Sequence, residues 1–289
     1  MTARALEVVA TGPLATVQDR GRPGLAALGV GQSGAADTSS MRLANRLVGN
    51  KGGAACIEVT FGGLEVRAHG GATVALAGAP CPMTVDGRQV APYAVVWVPD
   101  GAVLRLGAPT SGLRSYLAVR GGLALAPVLG SCSTDTLSGV GPAPLEPGRR
   151  LRVGRARRPL PGVDLAPVRV PDAGDLWLRV VRGPRADWFT EAAYDTLLST
   201  PYEVTAESNR IGMRLSGAML ERSRDAELPS EGMVAGALQV PPSGQPTLFL
   251  ADHPVTGGYP VVAVVVAADI PLAAQARPGQ QLRFRTTTR

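Results

Sequence analysis

The second half of the chain is organised around one stretch, Thr247-Leu-Phe-Leu-Ala-Asp-His-Pro-Val-Thr-Gly-Gly-Tyr-Pro-Val-Val-Ala-Val-Val-Val-Ala267. Its apolar ends, Thr247–Ala251 and Val261–Ala267, have the length and composition of buried strands. Between them lies a polar loop with adjacent glycines, Gly257 and Gly258, which permit a backbone approach that a Cβ would block. We therefore expect chemistry at this loop. The alternative is a plain connection whose Gly and Pro residues serve only the turn.

The composition indicates a folded chain with many turns. The 289 residues are 45% hydrophobic, which is enough for one large or two modest domains. The 36 glycines and 25 prolines are spread along the chain, which favours short strands over disorder. Apolar residues alternate on both sides of Gly62-Gly63 and of Asp86-Gly87, which predicts a hairpin at each pair. The sequence therefore predicts a mainly β fold, a barrel or a sandwich.

A few short helices and one linker interrupt the strand pattern. Asp37 is placed to cap a helix that buries one apolar face, and Thr190 is placed to cap a second helix over Glu191–Leu198. Residues 161–171 are rich in proline and lack periodicity, so they read as a linker. We predict an N-terminal half over residues 1–160 and a C-terminal half over residues 172–289.

The charge pattern excludes several classes of protein. The net charge is +6, and Lys51 is the single lysine. The arginines are scattered and no aromatic platform interleaves them, so we expect no nucleic-acid partner. The cluster at Arg149–Arg158 reads as a solvated linker region. The residues around Lys51 do not fit a Walker phosphate loop, so such a loop, if ATP is used, must come from elsewhere.

Histidine and cysteine usage argues against a metal site. The two histidines, His69 and His253, exclude a three-histidine zinc site. The three cysteines are far apart and odd in number, which indicates buried thiols in a reducing compartment. The first residues contain no apolar signal segment, and the longest apolar run, Pro260–Ala268, is too short to cross a bilayer. We therefore expect a cytoplasmic protein that does not enter a membrane.

Several polar residues are candidates for chemistry. Arg210 and Arg214 could grip one carboxylate or phosphate, or could be surface arginines in salt bridges. Glu231 could act as a general base or cap the next element, and Asp252 or His253 could move protons. The other candidate binding residues are Ser208, Gln239, Thr256, Gly257, Gly258 and Tyr259, together with Ser33 and Asp37 in a Gly-rich region of the first half. Gln18, Asp19 and Arg22 share that region, whose polar residues either line a pocket or satisfy the loop backbone. No Gly-x-Ser-x-Gly elbow is present, so a hydrolase triad is not supported.

Several blocks of sequence, taken in order, carry a family resemblance. They are Gly12–Arg22, Ser33–Asp37, Ala44–Asn50, Ile57–Gly63, Ser208–Gly217, Ser230–Gly232, Gln239–Pro246 and Thr256–Pro260. Together they resemble the C subunit of bacterial 5-oxoprolinase, a family also known as allophanate hydrolase subunit 2. They are similar as well to the A and B part of the carboxyltransferase domain of urea carboxylase and urea amidolyase.

The resemblance implies a fold and an activity. It implies two cyclophilin-like β-barrel units, and a hetero-oligomer with two partner subunits, designated B and A. It implies a hydrolase component, not active alone, in the ATP-dependent opening of 5-oxo-L-proline to L-glutamate, with ATP as the cofactor of the complex. Two alternatives stay open. One is a regulatory protein that antagonises a histidine-kinase inhibitor related to the B subunit, and the other is allophanate hydrolysis or carboxyl transfer on urea.

Residue chemistry suggests roles within the first of these readings. Arg210 and Arg214 would bind the substrate carboxylate or a phosphorylated intermediate. Glu231 or Asp252 would handle protons, and the backbone at Gly257-Gly258 would cradle an oxyanion.

Overall fold

The chain divides into two compact units. The structure, a computed structural model, describes residues 4–163, 165–224 and 226–287, so Asp164 of the predicted linker lies outside the described residues. Unit 1 comprises Met1–Arg22, Asp37–Asp135 and Gly139–Pro171, and unit 2 comprises Pro23–Ala36, Thr136–Ser138 and Asp172–Arg289. Two short segments from the first half therefore belong to unit 2, which a linear division at residues 161–171 does not include.

Short strands in two sheets build unit 1. In chain order they are β1 (Ala5–Thr11), β2 (Leu14–Gln18), β3 (Cys56–Thr60), β4 (Leu64–His69), β5 (Ala72–Gly78), β6 (Met83–Val85), β7 (Arg88–Val90), β8 (Val96–Val98), β9 (Val103–Leu106), β10 (Arg114–Val119) and β11 (Arg150–Arg152). One sheet has the order β11-β1-β4-β9-β6-β7, and the other has the order β2-β3-β10-β5-β8. All pairings are antiparallel, and both sheets contribute aliphatic side chains to one core.

One of the two predicted hairpins is wrong. The turn at Asp86-Gly87 joins β6 and β7 in register, as predicted. The turn at Gly62-Gly63 instead carries the chain from the five-stranded sheet to the six-stranded sheet, because β3 pairs with β2 and β10 whereas β4 pairs with β1 and β9. A Cβ on Gly62 would lie 2.1 Å from the carbonyl oxygen of Gly107, so the glycine serves a close backbone crossing.

The first helix, α1 (Thr38–Leu47), confirms the predicted cap and buried face. Asp37 Oδ1 accepts a hydrogen bond from the backbone N–H of Ser40 at 3.0 Å. Met41, Ala44 and Leu47 are buried, as the periodicity predicted. Val48 and Gly49 end the helix, and Gly49 takes the left-handed conformation with φ of 71°.

Unit 2 is a closed barrel with small additions. Its strands are β12 (Leu176–Arg182), β13 (Tyr202–Val204), β14 (Gly212–Ser216), β15 (Glu231–Gly232), β16 (Ala237–Gln239), β17 (Thr247–Phe249), β18 (Thr256–Gly257), β19 (Val261–Val265) and β20 (Gln281–Thr286). Seven of them close in the order β12-β19-β16-β17-β14-β13-β20, and β15 pairs with β18 outside the barrel. The barrel closes through a parallel pairing of β12 with β20. Closure leaves no strand edge unpaired along its circumference.

Two helices pack on this barrel. They are α2 (Glu191–Ser199), which Thr190 caps through its side chain as predicted, and the short α3 (Ile270–Ala273). Leu197 of α2 is buried in the core with strand residues such as Tyr202 and Phe284. The mainly β prediction is confirmed. Within the described ranges, no helix has the length and apolar composition needed to cross a bilayer.

The opening stretch of the sequence lies at the centre of the barrel. Its two apolar runs form β17 and β19, and β16 lies between them. Gln239 at the end of β16 is paired with Thr247 on one side and with Val261 on the other. The polar loop therefore leaves β17 and returns at β19 beside the end of β16.

Candidate functional site

A buried polar cluster lies at the start of the loop that follows β17. Asp252 and Arg210 form a two-point ion pair, with Arg210 Nε 2.9 Å from Asp252 Oδ2 and Arg210 Nη2 2.9 Å from Asp252 Oδ1. Ser33 Oγ donates to Asp252 Oδ1 at 2.8 Å. Thr136 donates to Oδ2 twice, from its backbone N–H at 2.9 Å and from its hydroxyl at 2.7 Å. We call these four residues the Asp252 cluster.

Backbone pairing explains how the cluster forms. Strands β14 and β17 are antiparallel neighbours, and the hydrogen bonds between their chains continue past the strand ends. Leu250 N–H donates to the carbonyl of Ile211, and Asp252 N–H donates to the carbonyl of Arg210 at 3.0 Å. The ladder therefore brings Arg210 and Asp252 side by side.

The cluster also fixes the two segments that join unit 2 from the first half of the chain. Arg210 Nη2 donates to the carbonyl oxygen of Gly34 at 2.6 Å. Ser33, whose φ is 53°, is held in the left-handed region next to Gly34 with φ of 101°. Such a conformation is costly for a non-glycine residue and persists where surrounding contacts determine it. The contacts to Ser33, Gly34 and Thr136 thus anchor residues 23–36 and 136–138 within unit 2.

Asp252 is ionised and fully engaged. Burial alone raises the pKa of this carboxyl, but the charge of Arg210 and the hydrogen bonds from Arg210 and Thr136 outweigh it, so the pKa lies below its usual value. Five hydrogen bonds converge on its two oxygens, and its side chain has no exposed surface. A carboxylate in this state is a poor proton carrier, which corrects the proton-handling role predicted from the sequence.

The structure does not bring Arg210 and Arg214 together on one ligand. Arg210 is buried against Asp252, whereas Arg214 is exposed and lies 3.4 Å from the carboxylate of the equally exposed Glu207. Ser208 Oγ accepts from the backbone N–H of Arg214 at 3.1 Å, so Ser208 supports the turn before β14. The predicted two-arginine grip is therefore replaced by one structural arginine and one solvent-facing arginine.

A second group of candidates does come together, beside the end of β16. Strands β15 and β18 pair Glu231 with Gly257 and Gly232 with Thr256. Gln239 Nε2 donates to the carbonyl oxygen of Tyr259 at 3.0 Å. We call the set made of β15, β18, Gln239 and Tyr259 the Glu231 ribbon.

Close packing within the ribbon explains one of its glycines. A Cβ on Gly257 would lie 2.6 Å from Gln239 Nε2 and 3.3 Å from the side chain of Met233. Gly257 therefore allows the buried Gln239 amide to approach the loop backbone. A Cβ on Gly232, in the partner strand, would meet nothing within 4 Å.

Glu231 is held by an arginine that the sequence did not indicate. Arg185 Nε lies 2.9 Å from Glu231 Oε1 and 3.0 Å from Oε2, and Arg185 Nη2 also contacts Oε1. The hydrogen bonds from Arg185 lower the pKa of Glu231 despite partial burial. Arg185 is placed by its own backbone, whose N–H donates to the carbonyl of Val261 at the start of β19. The ribbon thus carries an ionised carboxylate that solvent can still reach, because 27% of its side chain is exposed.

His253 and Asp37 take separate positions. His253 Nδ1 lies 2.8 Å from the carbonyl oxygen of Pro254, and a carbonyl only accepts, so Nδ1 carries the proton. In the neutral ring Nε2 is then a proton acceptor. Asp37 belongs to unit 1, where it caps α1 and its N–H donates to the hydroxyl of Tyr116 at 2.6 Å. Tyr116 in turn donates to Glu58 at 2.8 Å.

The Gly-rich region of unit 1 resolves into a loop-holding network and one unusual arginine. Asp19 accepts from Gly21 N–H, Cys132 N–H and the hydroxyls of Ser131 and Ser133, so it satisfies the loop backbone. Arg22 is 2% exposed, and its Nη2 donates to the carbonyl oxygen of Ser133. Its Nε and Nη1 are buried without a hydrogen-bond partner among the described residues. Such a buried, partly unsatisfied guanidinium is costly unless a ligand completes it.

Arg185, Thr136 and Arg22 were missing from the candidates inferred from the sequence or were not given a role there. Arg185 follows Gly183-Pro184 directly after β12, which marks a turn and gives no indication of its partner 46 residues away. Thr136 bonds to a residue 116 positions away. Within residues 4–163, 165–224 and 226–287, no three His, Cys, Asp or Glu side chains are grouped as metal ligands.

Comparison with known proteins identifies the family. Residues 28–286 match the family described as carboxyltransferase domain, subdomain A and B. The chain belongs to this family. The resemblance inferred from the sequence blocks is thereby confirmed.

Three relatives show how far the similarity of this carboxyltransferase-domain protein extends. It is 38% identical to the C subunit of 5-oxoprolinase from Escherichia coli (strain K12) over 282 residues, which is 96% of this chain and 90% of the relative. The crystal structure of TTHA0988 is similar with a TM-score of 0.89 and 36% identity, covering 99% of this chain and 56% of TTHA0988. The Kluyveromyces lactis urea carboxylase structure gives a TM-score of 0.90 and 29% identity, and the chain spans 28% of its length.

Proposed function

We propose that this chain is one component of a multi-subunit, ATP-dependent amide hydrolase that opens 5-oxo-L-proline to L-glutamate. The observation that carries the proposal is the 38% identity to the C subunit of a 5-oxoprolinase over nearly the full length of both chains. In this reaction water adds its oxygen to the lactam carbonyl carbon, the ring C–N bond breaks, and the nitrogen takes up a proton. ATP hydrolysis supplies the driving force within the complex.

The Glu231 ribbon is the proposed place of contact with the substrate. Its ionised carboxylate is accessible and can accept a proton from water or from the lactam N–H. Gln239, Thr256 and the backbone around Gly257, Gly258 and Tyr259 supply neutral hydrogen-bonding groups next to it. His253 Nε2 is a second proton acceptor on the same loop. The Asp252 cluster acts as a positioning group that fixes where this loop begins.

The proposal includes partners. Two further subunits, designated B and A, would complete the enzyme, and ATP would be consumed by the assembled complex. This follows from the name of the Escherichia coli relative, which identifies it by letter as one of several subunits of an enzyme. The lack of a Walker sequence around Lys51, the single lysine, agrees with a nucleotide site that relies on other elements or other subunits.

A second candidate is a carboxyltransferase component acting on urea or a derived amide. The observation that favours it is the TM-score of 0.90 to a urea carboxylase across the whole of this chain. Its lower identity, 29%, places it second.

The two candidates are separated by mixing the purified chain with its A and B subunits and offering different substrates. ATP-dependent formation of glutamate from 5-oxoproline supports the first candidate. Release of ammonia from allophanate, or carboxylation of urea with a biotin carrier present, without any glutamate from 5-oxoproline, would support the second candidate and overturn the first. Both assays include a control that lacks ATP.

A further inference from the structure

Unit 1 contains a strongly basic cleft far in sequence from the Glu231 ribbon. Its volume is about 730 Å³, within the usual size range for small-molecule sites. Six cationic side chains line it, together with the glycine-rich turn after α1 and part of the segment after β11. The cationic residues are Arg20, Arg42, Lys51, Arg155, Arg157 and Arg158. No acidic residue is among the lining residues. The structure thus corrects the sequence-based interpretation of Arg149–Arg158 as a plain solvated linker.

The wall formed by the glycine-rich turn is held in place by two asparagines. Asn45, buried in α1, donates from Nδ2 to the carbonyl oxygen of Ala54 at 2.8 Å. Asn50 donates to the carbonyl oxygen of Val119 at 2.8 Å and accepts from the N–H of Gly121 at 2.9 Å. The turn between these anchors is therefore a fixed element of unit 1.

The opposite wall is clamped by Arg120. Its Nη1 donates to the carbonyl oxygen of Val48 at the end of α1, and its Nη2 donates to the carbonyl oxygen of Arg158 at 2.7 Å. A Cβ on Gly49 would lie 2.5 Å from the carbonyl oxygen of Pro159, so the glycine permits this approach. The arginine-rich segment is thus fastened to the end of the helix.

Unused donors are concentrated in this cleft. Elsewhere in unit 1, Arg105 pairs with Glu65 and Arg150 pairs with Glu7. None of the six cationic side chains of the cleft makes an ion pair or a hydrogen bond within the described residues. Among the same described residues, the backbone N–H groups of Lys51, Gly52 and Gly53 find no protein acceptor. The negative end of the α1 dipole is equivalent to roughly half an elementary charge, which cannot balance six cations.

We propose that this basic cleft binds a small ligand with a diphosphate or triphosphate group. Several guanidiniums, one ammonium and consecutive backbone N–H groups are the donors that bind oligophosphates in proteins. A ligand with several negative charges in a row matches the concentration of positive charge better than a single carboxylate does. The proposal does not rest on the proposed function, because it is tested by binding to the isolated full-length chain.

The test is isothermal titration of the full chain with sodium triphosphate, ATP, ADP, adenosine and sodium sulfate at one fixed ionic strength. We expect triphosphate and ATP to bind, and adenosine and sulfate not to bind. Binding of triphosphate as tight as that of ATP would indicate that the phosphate chain alone is recognised, and tighter binding of ATP would indicate a nucleotide. An R155Q/R157Q variant should weaken either interaction about tenfold or more, since each lost charge-assisted contact contributes strongly.

A matched variant, R149Q/R152Q, removes the same charge from exposed residues of the same segment that do not line the cleft. It should bind like the unsubstituted chain. Equal weakening in both variants would mean unspecific attraction and would overturn the proposal, as would absence of triphosphate binding. Binding of an oligoglutamate peptide in place of triphosphate would also overturn it, in favour of an acidic protein partner. The backbone amide NMR signals of Gly52 and Gly53 should shift with triphosphate in the control variant.

Discussion

Arg210 and Asp252 form a buried ion pair joined at two points, with both N–O distances 2.9 Å and almost no exposed surface on either side chain. The pair links the residue before β14 to the loop after β17, and through Ser33 and Thr136 it also anchors two segments from the first half of the chain. Its function is therefore to position the polar loop, whereas the chemistry is assigned to the Glu231 ribbon.

Replacing Asp252 should destabilise the protein. In D252N the Arg210 charge stays buried without its counter-charge, and removing one partner of such a pair costs about 3 kcal/mol or more. Urea unfolding of the isolated chain measures this cost. The control is E207Q, which removes the carboxylate next to the exposed Arg214 and should change stability little. Equal stability of D252N and the unsubstituted chain would contradict the assigned role.

The same pair predicts a pH dependence. The pKa of Asp252 is lowered in the folded chain relative to about 3.9 in an unfolded chain. Its contribution to stability is therefore complete above the unfolded pKa and is lost as the pH falls through that value toward the folded pKa. Between about pH 5 and pH 3, the free energy of unfolding should fall more steeply for the unsubstituted chain than for D252N. Parallel pH profiles for the two proteins would show that Asp252 does not titrate as proposed.

Gly257 and Gly232 offer a matched pair of substitutions in one two-stranded element. G257A places a Cβ 2.6 Å from Gln239 Nε2, so it should displace the Gln239 amide from Tyr259 and cost on the order of 1 kcal/mol. G232A places a Cβ in open space and should leave the ribbon intact. The comparison is made by thermal unfolding and by the turnover of the assembled complex. Loss of turnover in G232A but not in G257A would contradict the geometry.

Glu231 should matter for turnover more than for stability. E231Q keeps the shape of the side chain but removes the accepting charge, so kcat of the assembled complex should fall roughly a hundredfold, as expected for the loss of a general base. The control is E191Q, because Glu191 forms a similar two-point pair with Arg182 on the exposed side of α2. Thermal midpoints of both variants should stay close to that of the unsubstituted chain. Full activity of E231Q would transfer the proton-accepting role to another group, and H253N would then be the variant to measure.

Local chemistry in the sequence predicted local structure well. The Asp37 and Thr190 caps, the buried face of α1 and the Asp86-Gly87 hairpin follow from contacts within a few residues. The polar loop between β17 and β19 was also predicted, since two apolar runs of strand length bracket it.

Pairings between distant residues could not be read in the same way. The alternating pattern around Gly62-Gly63 is the same for a hairpin and for a crossing between sheets, and only the partners of β3 and β4 decide between them. Asp252 looked like a proton carrier because nothing near it in sequence shows that Arg210, Ser33 and Thr136 saturate it. The arginines at 155–158 looked solvated because their neighbours in the cleft, Lys51 and Arg42, lie about a hundred positions earlier in the chain.

The most direct test of the account is glutamate formation from 5-oxoproline and ATP by a mixture of this chain with its A and B subunits, measured with each component omitted in turn. The account predicts that glutamate and phosphate form together only when all three are present, and that adding the purified chain to A and B restores the full rate. Glutamate formation by A and B at the same rate without this chain would contradict the claim that it is part of the enzyme.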